Sequence, residues 1–93
     1  MATAAILIGN TDNKLTQTEW AEFCESMEKL INQHATEIHF RGGSPWDASS
    51  QSGCWVCEVK QGHVETLKRD ITNCRTKFRQ DSAALLLSET EFI

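Results

Sequence analysis

Apolar positions along this chain fall into short blocks that switch period, and the switches predict six elements. The run Ala4-Ala5-Ile6-Leu7-Ile8 is stopped by Gly9-Asn10-Thr11-Asp12-Asn13, a cluster of turn formers, and so predicts a buried strand feeding a polar loop. Thr16 with Glu19 three residues later has the capping-box pattern. Trp20, Phe23, Cys24, Met27, Leu30 and Ile31 then recur at spacings of three and four, predicting a helix over about 17–33. Glu37, His39 and Arg41 alternate with Ile38 and Phe40, the period of a half-buried strand, up to Gly42-Gly43. A polar loop over 42–53 contains Pro45, the single proline. Residues 54–60 read as extended, with Trp55, Cys57 and Val59 on one side and Cys54, Val56 and Glu58 on the other. Val64, Leu67, Ile71, Cys74 and Phe78 mark a second helix over about 63–79. Asp81 and Ser82 interrupt the pattern, and 83–87 is a fourth, almost wholly apolar strand.

The order β-α-β-β-α-β, with elements of these lengths, predicts an α+β fold of the ferredoxin-like type. That is a two-layer sandwich with an antiparallel sheet in the order 4-1-3-2 and both helices on one face. Other strand orders built from the same elements are the rival topology. At 93 residues the chain is the size of one domain, 1–93, without a second lobe to form an interdomain cleft.

The pattern also bears on assembly. A sheet with helices on one face should be polar on the other, with strict alternation along each strand. Strands one and four do not alternate: whichever parity faces the helices, leucine or isoleucine remains on the uncovered side, and Cys54 and Val56 extend that patch. Contiguous apolar area of this kind marks an interface, so a homo-oligomer, a face-to-face dimer above all, is expected. The alternative cover is the segment 89–93 folded back over the sheet.

The predicted topology brings three connections to one end: the loop after strand one, the loop 42–53, and the short turn after helix two. There the polar side chains gather, and the first loop together with the start of helix one suits an anion, with Lys14 and Arg41 adding charge. The candidate ligand-binding residues are Asn10, Thr11, Asn13, Lys14, Arg41, Trp46 and Arg79. Trp46, in a loop without apolar neighbours, either plugs the sheet edge or offers a flat face to a base. Gly9-Asn-Thr-Asp-Asn-Lys matches neither the phosphate-loop nor the dinucleotide fingerprint.

Charge narrows the partner. Nine Lys and Arg against thirteen Asp and Glu leave a net charge of −4, which argues against duplex nucleic acid. Six bases against two acids in residues 60–79 form the one basic stretch, read as a solvated helix face. No run approaches the roughly eighteen apolar residues of a membrane span, and the first residues lack a basic leader, so a cytoplasmic location and no membrane partner are expected. Of the four cysteines, Cys24 and Cys74 fall on helix stripes, and Cys54 and Cys57 diverge to opposite faces of a strand. Neither disulfides nor a metal site is expected, and no cofactor is called for. Asp47 and Asp81 read as loop and turn residues rather than bases for His39, so no catalytic residue is assigned.

The segments Ile8-Gly9-Asn10-Thr11-Asp12-Asn13-Lys14-Leu15-Thr16-Gln17, Cys54-Trp55-Val56-Cys57-Glu58-Val59 and Gln80-Asp81-Ser82-Ala83, together with Trp20 and Thr90-Glu91-Phe92-Ile93, resemble short uncharacterised proteins of bacteria and their viruses. The resemblance carries no catalytic residues. Its viral side implies an anti-defence role, in which a small protein in the host cytoplasm sequesters a host protein or a nucleotide immune signal. The expected function is therefore a non-enzymatic module that captures a small anionic ligand, a nucleotide or cyclic nucleotide. A protein-interaction or inhibitor module and a small ferredoxin-like enzyme are the alternatives.

Overall fold

The computed structural model describes residues 1–45 and 47–93, with Thr11 described by its backbone alone. The chain runs through β1 (Ala2–Gly9), a 3-10 turn at Thr11–Asn13, α1 (Gln17–His34), β2 (Ala35–Gly43), β3 (Ser52–Val59), a 3-10 turn at Gln61–His63, α2 (Val64–Lys77) and β4 (Ala84–Ser88). The strands form one antiparallel sheet in the order β2-β3-β1-β4, the order predicted from the element pattern.

Pairing of Ala4 with Cys57 and of Ile6 with Trp55 sets the pleat. It turns Ala2, Ala4, Ile6 and Ile8 to the helices together with Trp55, Cys57 and Val59, and all seven are buried. Helix α1 lays Phe23, Met27, Leu30 and Ile31 on this surface, and α2 adds Val64, Leu67 and Ile71. Phe78 stacks on Phe23 with ring centroids 5.0 Å apart, which closes the core at the loop-rich end. Each fully buried large side chain contributes about 1.5–3 kcal/mol, so one contiguous cluster stabilises both layers.

Local signals start and stop the helices. The Thr16 hydroxyl accepts from the Glu19 N–H and the Glu19 carboxylate accepts from the Thr16 N–H, a complete capping box on α1. At the end of α2 the Gln80 N–H donates to the Arg75 carbonyl at 2.9 Å and the Arg79 N–H to the Thr76 carbonyl at 3.0 Å. This is a Schellman closure with Arg79 at φ 59°, the position glycine usually takes.

Strand β2 departs from simple alternation. It spans Ala35–Gly43, and its register with β3 shifts between Ala35 and Glu37 and again between Ile38 and Phe40. The shifts set Phe40 opposite Val56 and Arg41 opposite Trp55. Phe40, expected on the same side as Ile38, therefore lies on the open face at 55% exposure, while Arg41 turns to the helix side. A bulge adds one residue to one strand and so swaps the faces beyond it. Gly42 belongs to the same device, since a Cβ there would lie 2.6 Å from the Phe40 ring.

Candidate functional site

Three connections meet at one end, as the topology requires, and Asn10 ties the first two together. Its side chain accepts from the Leu15 N–H at 2.9 Å and donates to the Leu15 carbonyl and to Gln51 Oε1, both at 3.1 Å. Its backbone N–H donates to the Gln51 carbonyl at 2.9 Å. Asn10 is 2% exposed, so its polar atoms hold the loops rather than face a ligand. Asp12 and Asn13 follow at φ 54° and 53°, left-handed conformations that short polar side chains tolerate.

Of the candidate cations, the fold brings Lys14 and Arg79 to the start of α1. Lys14 lies 3.7 Å from Asp81, whose side chain is 82% exposed. Arg79 lies 2.7 Å from Glu19, and this hydrogen bond, with the Thr16 N–H, holds the Glu19 carboxyl below its usual range. The positive end of α1 thus already has a carboxylate beside it. Arg41 stands apart: it pairs with Glu28, nine residues further along α1 and roughly 13 Å along its axis. The Trp55 indole also donates to Glu28, at 3.3 Å, and Arg41 first and Trp55 after it hold that carboxyl low. Trp46 and the Thr11 side chain lie outside the described residues.

A second candidate is the uncovered sheet face, whose rows follow from the register. One row holds Phe40, Val56, Ala5 and Leu86, the next Gly42, Cys54, Leu7 and Ala84. Leu86 is 58% exposed and Leu7 40%. The row at the far end is polar: Thr3 lies beside both Glu58 and Ser88. Glu58 Oε1 accepts from the Thr3 hydroxyl at 2.9 Å and meets His39 Nε2 at 3.3 Å. The Thr3 hydrogen bond is the main cause of a lowered Glu58 carboxyl, with His39 and Thr90 adding to it. Residues 89–93 cross the sheet on this row: Thr90 meets the Thr3 hydroxyl, and the Phe92 ring stands edge-on to His39 at 6.1 Å.

Elsewhere, His34 in the last turn of α1 meets Asp70 of α2 at 2.7 Å, a contact that lowers the Asp70 carboxyl. A groove of 370 Å³ runs between α2 and the outer edge of β4, floored by Ile71, Leu85 and Leu87 with Lys68 on its rim. All four cysteines are free, and burial pushes up the thiols of Cys24, Cys57 and Cys74. Among the described residues no group of three or more His, Cys, Asp or Glu is arranged to hold a metal ion.

The pairings Glu28–Arg41, His34–Asp70 and His39–Glu58 escape sequence reasoning because each spans a sequence gap of 13 to 36 residues. Glu58 alone leaves a local trace, an acid between the core positions Cys57 and Val59.

The chain matches no protein-family model and resembles no curated protein in sequence. Over 97% of its length it superimposes on 92% of a dimeric ferredoxin-like protein of unknown function from Thermobifida fusca YX, with a TM-score of 0.62 and 8% identity. The fold is ferredoxin-like. In this ferredoxin-like chain no helix among the described residues is long and apolar enough to cross a membrane.

Proposed function

We propose that the chain is a non-enzymatic binding module that works as a homodimer, two copies stacked through their open sheet faces. The observation that carries this reading is the double row of apolar side chains, Phe40, Val56, Ala5 and Leu86 beside Leu7, Cys54 and Ala84. Leaving such groups wet costs about 1.5–3 kcal/mol for each large one, and a second copy of the same face removes that cost. The molecule measures 37 × 29 × 18 Å, so its broad face is large enough for the roughly 800 Å² per partner of a standard interface. The similar Thermobifida fusca protein is described as dimeric, which supports a dimeric state here. Four free thiols fit the reducing cytoplasm, where we place the protein. Light scattering during size exclusion tests the dimer: a mass near twice 10.5 kDa is expected, and Leu86→Glu should return it to 10.5 kDa. A wild-type mass of 10.5 kDa at tens of micromolar overturns it.

A small anionic ligand, a nucleotide or cyclic nucleotide immune signal in the anti-defence role that the viral resemblance implies, is assigned to the loop-rich end. Supporting it is the loose Lys14–Asp81 pair, whose acid is almost fully solvated and so is readily exchanged for a ligand phosphate beside Arg79. A thermal-shift screen with mono-, di- and cyclic nucleotides should raise the melting temperature with one of them. Lys14→Ala and Arg79→Ala should then abolish the shift, and no shift with any member sinks the ligand assignment.

A further inference from the structure

The segment after β4 lies across the open face as a crossbar. From Ser88, paired with Thr3, it passes Thr90 over Thr3 and Glu58 and reaches His39 with Phe92. It traverses the full width of the sheet, from β4 over β1 and β3 to β2, along the polar row of Thr3, Glu58 and Ser88. Two properties of the crossbar stand in contrast. Its root is pinned by hydroxyl groups around the ionised Glu58 carboxylate, which accepts from Thr3 and Thr90 and meets His39. Its tip is apolar and, apart from the edge of Phe92 against His39, bare: Phe92 is 79% exposed and Ile93 fully so, while Phe40 and Leu86 lie exposed in the adjacent row. A segment serving as this chain's own cover would set those two side chains on the apolar rows. Instead it sits on the polar row and leaves both largely in solvent.

Stacked sheets pack about 10 Å apart, and the layer between them is filled by side chains from both. The crossbar occupies that layer at one end of the face, so a second copy approaching the apolar rows meets it first. We propose that the crossbar is a grip on the second copy, with Phe92 and Ile93 packing on the apolar rows of the partner's open face while the Thr3–Glu58–His39 cluster anchors the root on its own sheet. The proposal rests on the face-to-face dimer above and names the part of each chain that reaches across it. By symmetry each copy gives one crossbar and receives one, which fixes the rotation between the sheets as well as their contact.

Sedimentation equilibrium on the full chain tests it with three proteins: the wild type, the double variant Phe92→Ala with Ile93→Ala, and Leu86→Glu. The double variant should raise the dimer dissociation constant at least tenfold while the melting temperature of dilute monomer stays within error. Thr90→Ala, which frees the root, should raise the dissociation constant by a smaller factor. An unchanged or tighter dimer in the double variant overturns the grip, and if Leu86→Glu is then monomeric the face-to-face dimer itself still stands. A wild-type chain that is monomeric at 100 µM removes both.

Discussion

The two faces of this sheet are built from the same four strands and nearly the same residue types, yet they have opposite fates. On one, Ile6, Ile8, Trp55 and Val59 are at most 3% exposed beneath two helices. On the other, Leu7, Phe40 and Leu86 keep 40% or more of their surface in solvent. Hydrophobicity of a strand therefore does not say which of its side chains belong to the fold. The covered face is paid for within the chain; the open face acquires its stabilisation when something else arrives. Stability measurements on dilute monomer and association measurements should accordingly separate the faces.

The largest expected effect is on the covered side. Phe23→Ala, at the centre of the core and stacked on Phe78, should cost about 3–5 kcal/mol in urea unfolding, whereas Leu86→Ala in dilute monomer should cost under about 1 kcal/mol. Equal costs would break the contrast between the faces. Next comes Asn10→Ala, which leaves Leu15 and Gln51 groups without their partner at the loop-rich end and should cost about 1–3 kcal/mol by the same assay.

A smaller effect, and a pH-dependent one, is expected at Asp70, which His34 joins to α1 across the helix layer. Because the folded carboxyl is held below its ordinary value of 3.8, its contribution is present above about pH 4 and is lost as the pH falls through the lower folded value. Asp70→Asn should lose about 1 kcal/mol at neutral pH and show a shallower decline of stability in acid. An identical acid profile in the variant would place the acid sensitivity elsewhere. Lys14→Ala should change stability by less than about 0.5 kcal/mol, since its partner Asp81 is almost wholly solvated. A larger loss would mean that the loop end uses Lys14 to fold, which weakens its assignment to a ligand.

The parts of this molecule governed by local rules are legible in the sequence. The three-and-four spacing from Trp20 to Ile31 and from Val64 to Phe78 names the helix faces, and Thr16 with Glu19 names a helix start. The order of elements leads to the sheet order, and with it to the meeting of Asn10, Lys14, Gln51 and Arg79 at one end. Strand β2 is not legible in this way, because a bulge is a property of the pair and leaves no mark on the alternation of Glu37 to Arg41. The same swap of faces takes Arg41 away from Lys14 and gives it to Glu28. Its place in a polar loop marks Asn10 as a candidate, but its burial depends on Gln51, forty-one residues away.

The strand order has a consequence for how the chain is made. β1 precedes both of its partners in the chain yet lies in the middle of the sheet, where Leu7 pairs with Cys54 and Thr3 with Ser88. None of its ladder bonds can form until β3 exists, and its second edge stays open until β4 has left the ribosome. A topology dominated by such distant pairings folds slowly for its size, because loop-closure entropy is met before the contacts that compensate it. During that interval the apolar run from Ala4 to Ile8 has two bare edges. The protein is therefore most exposed to aggregation while it is being translated, and α1, held by its own capping box, is the element free to form first and shelter that strand.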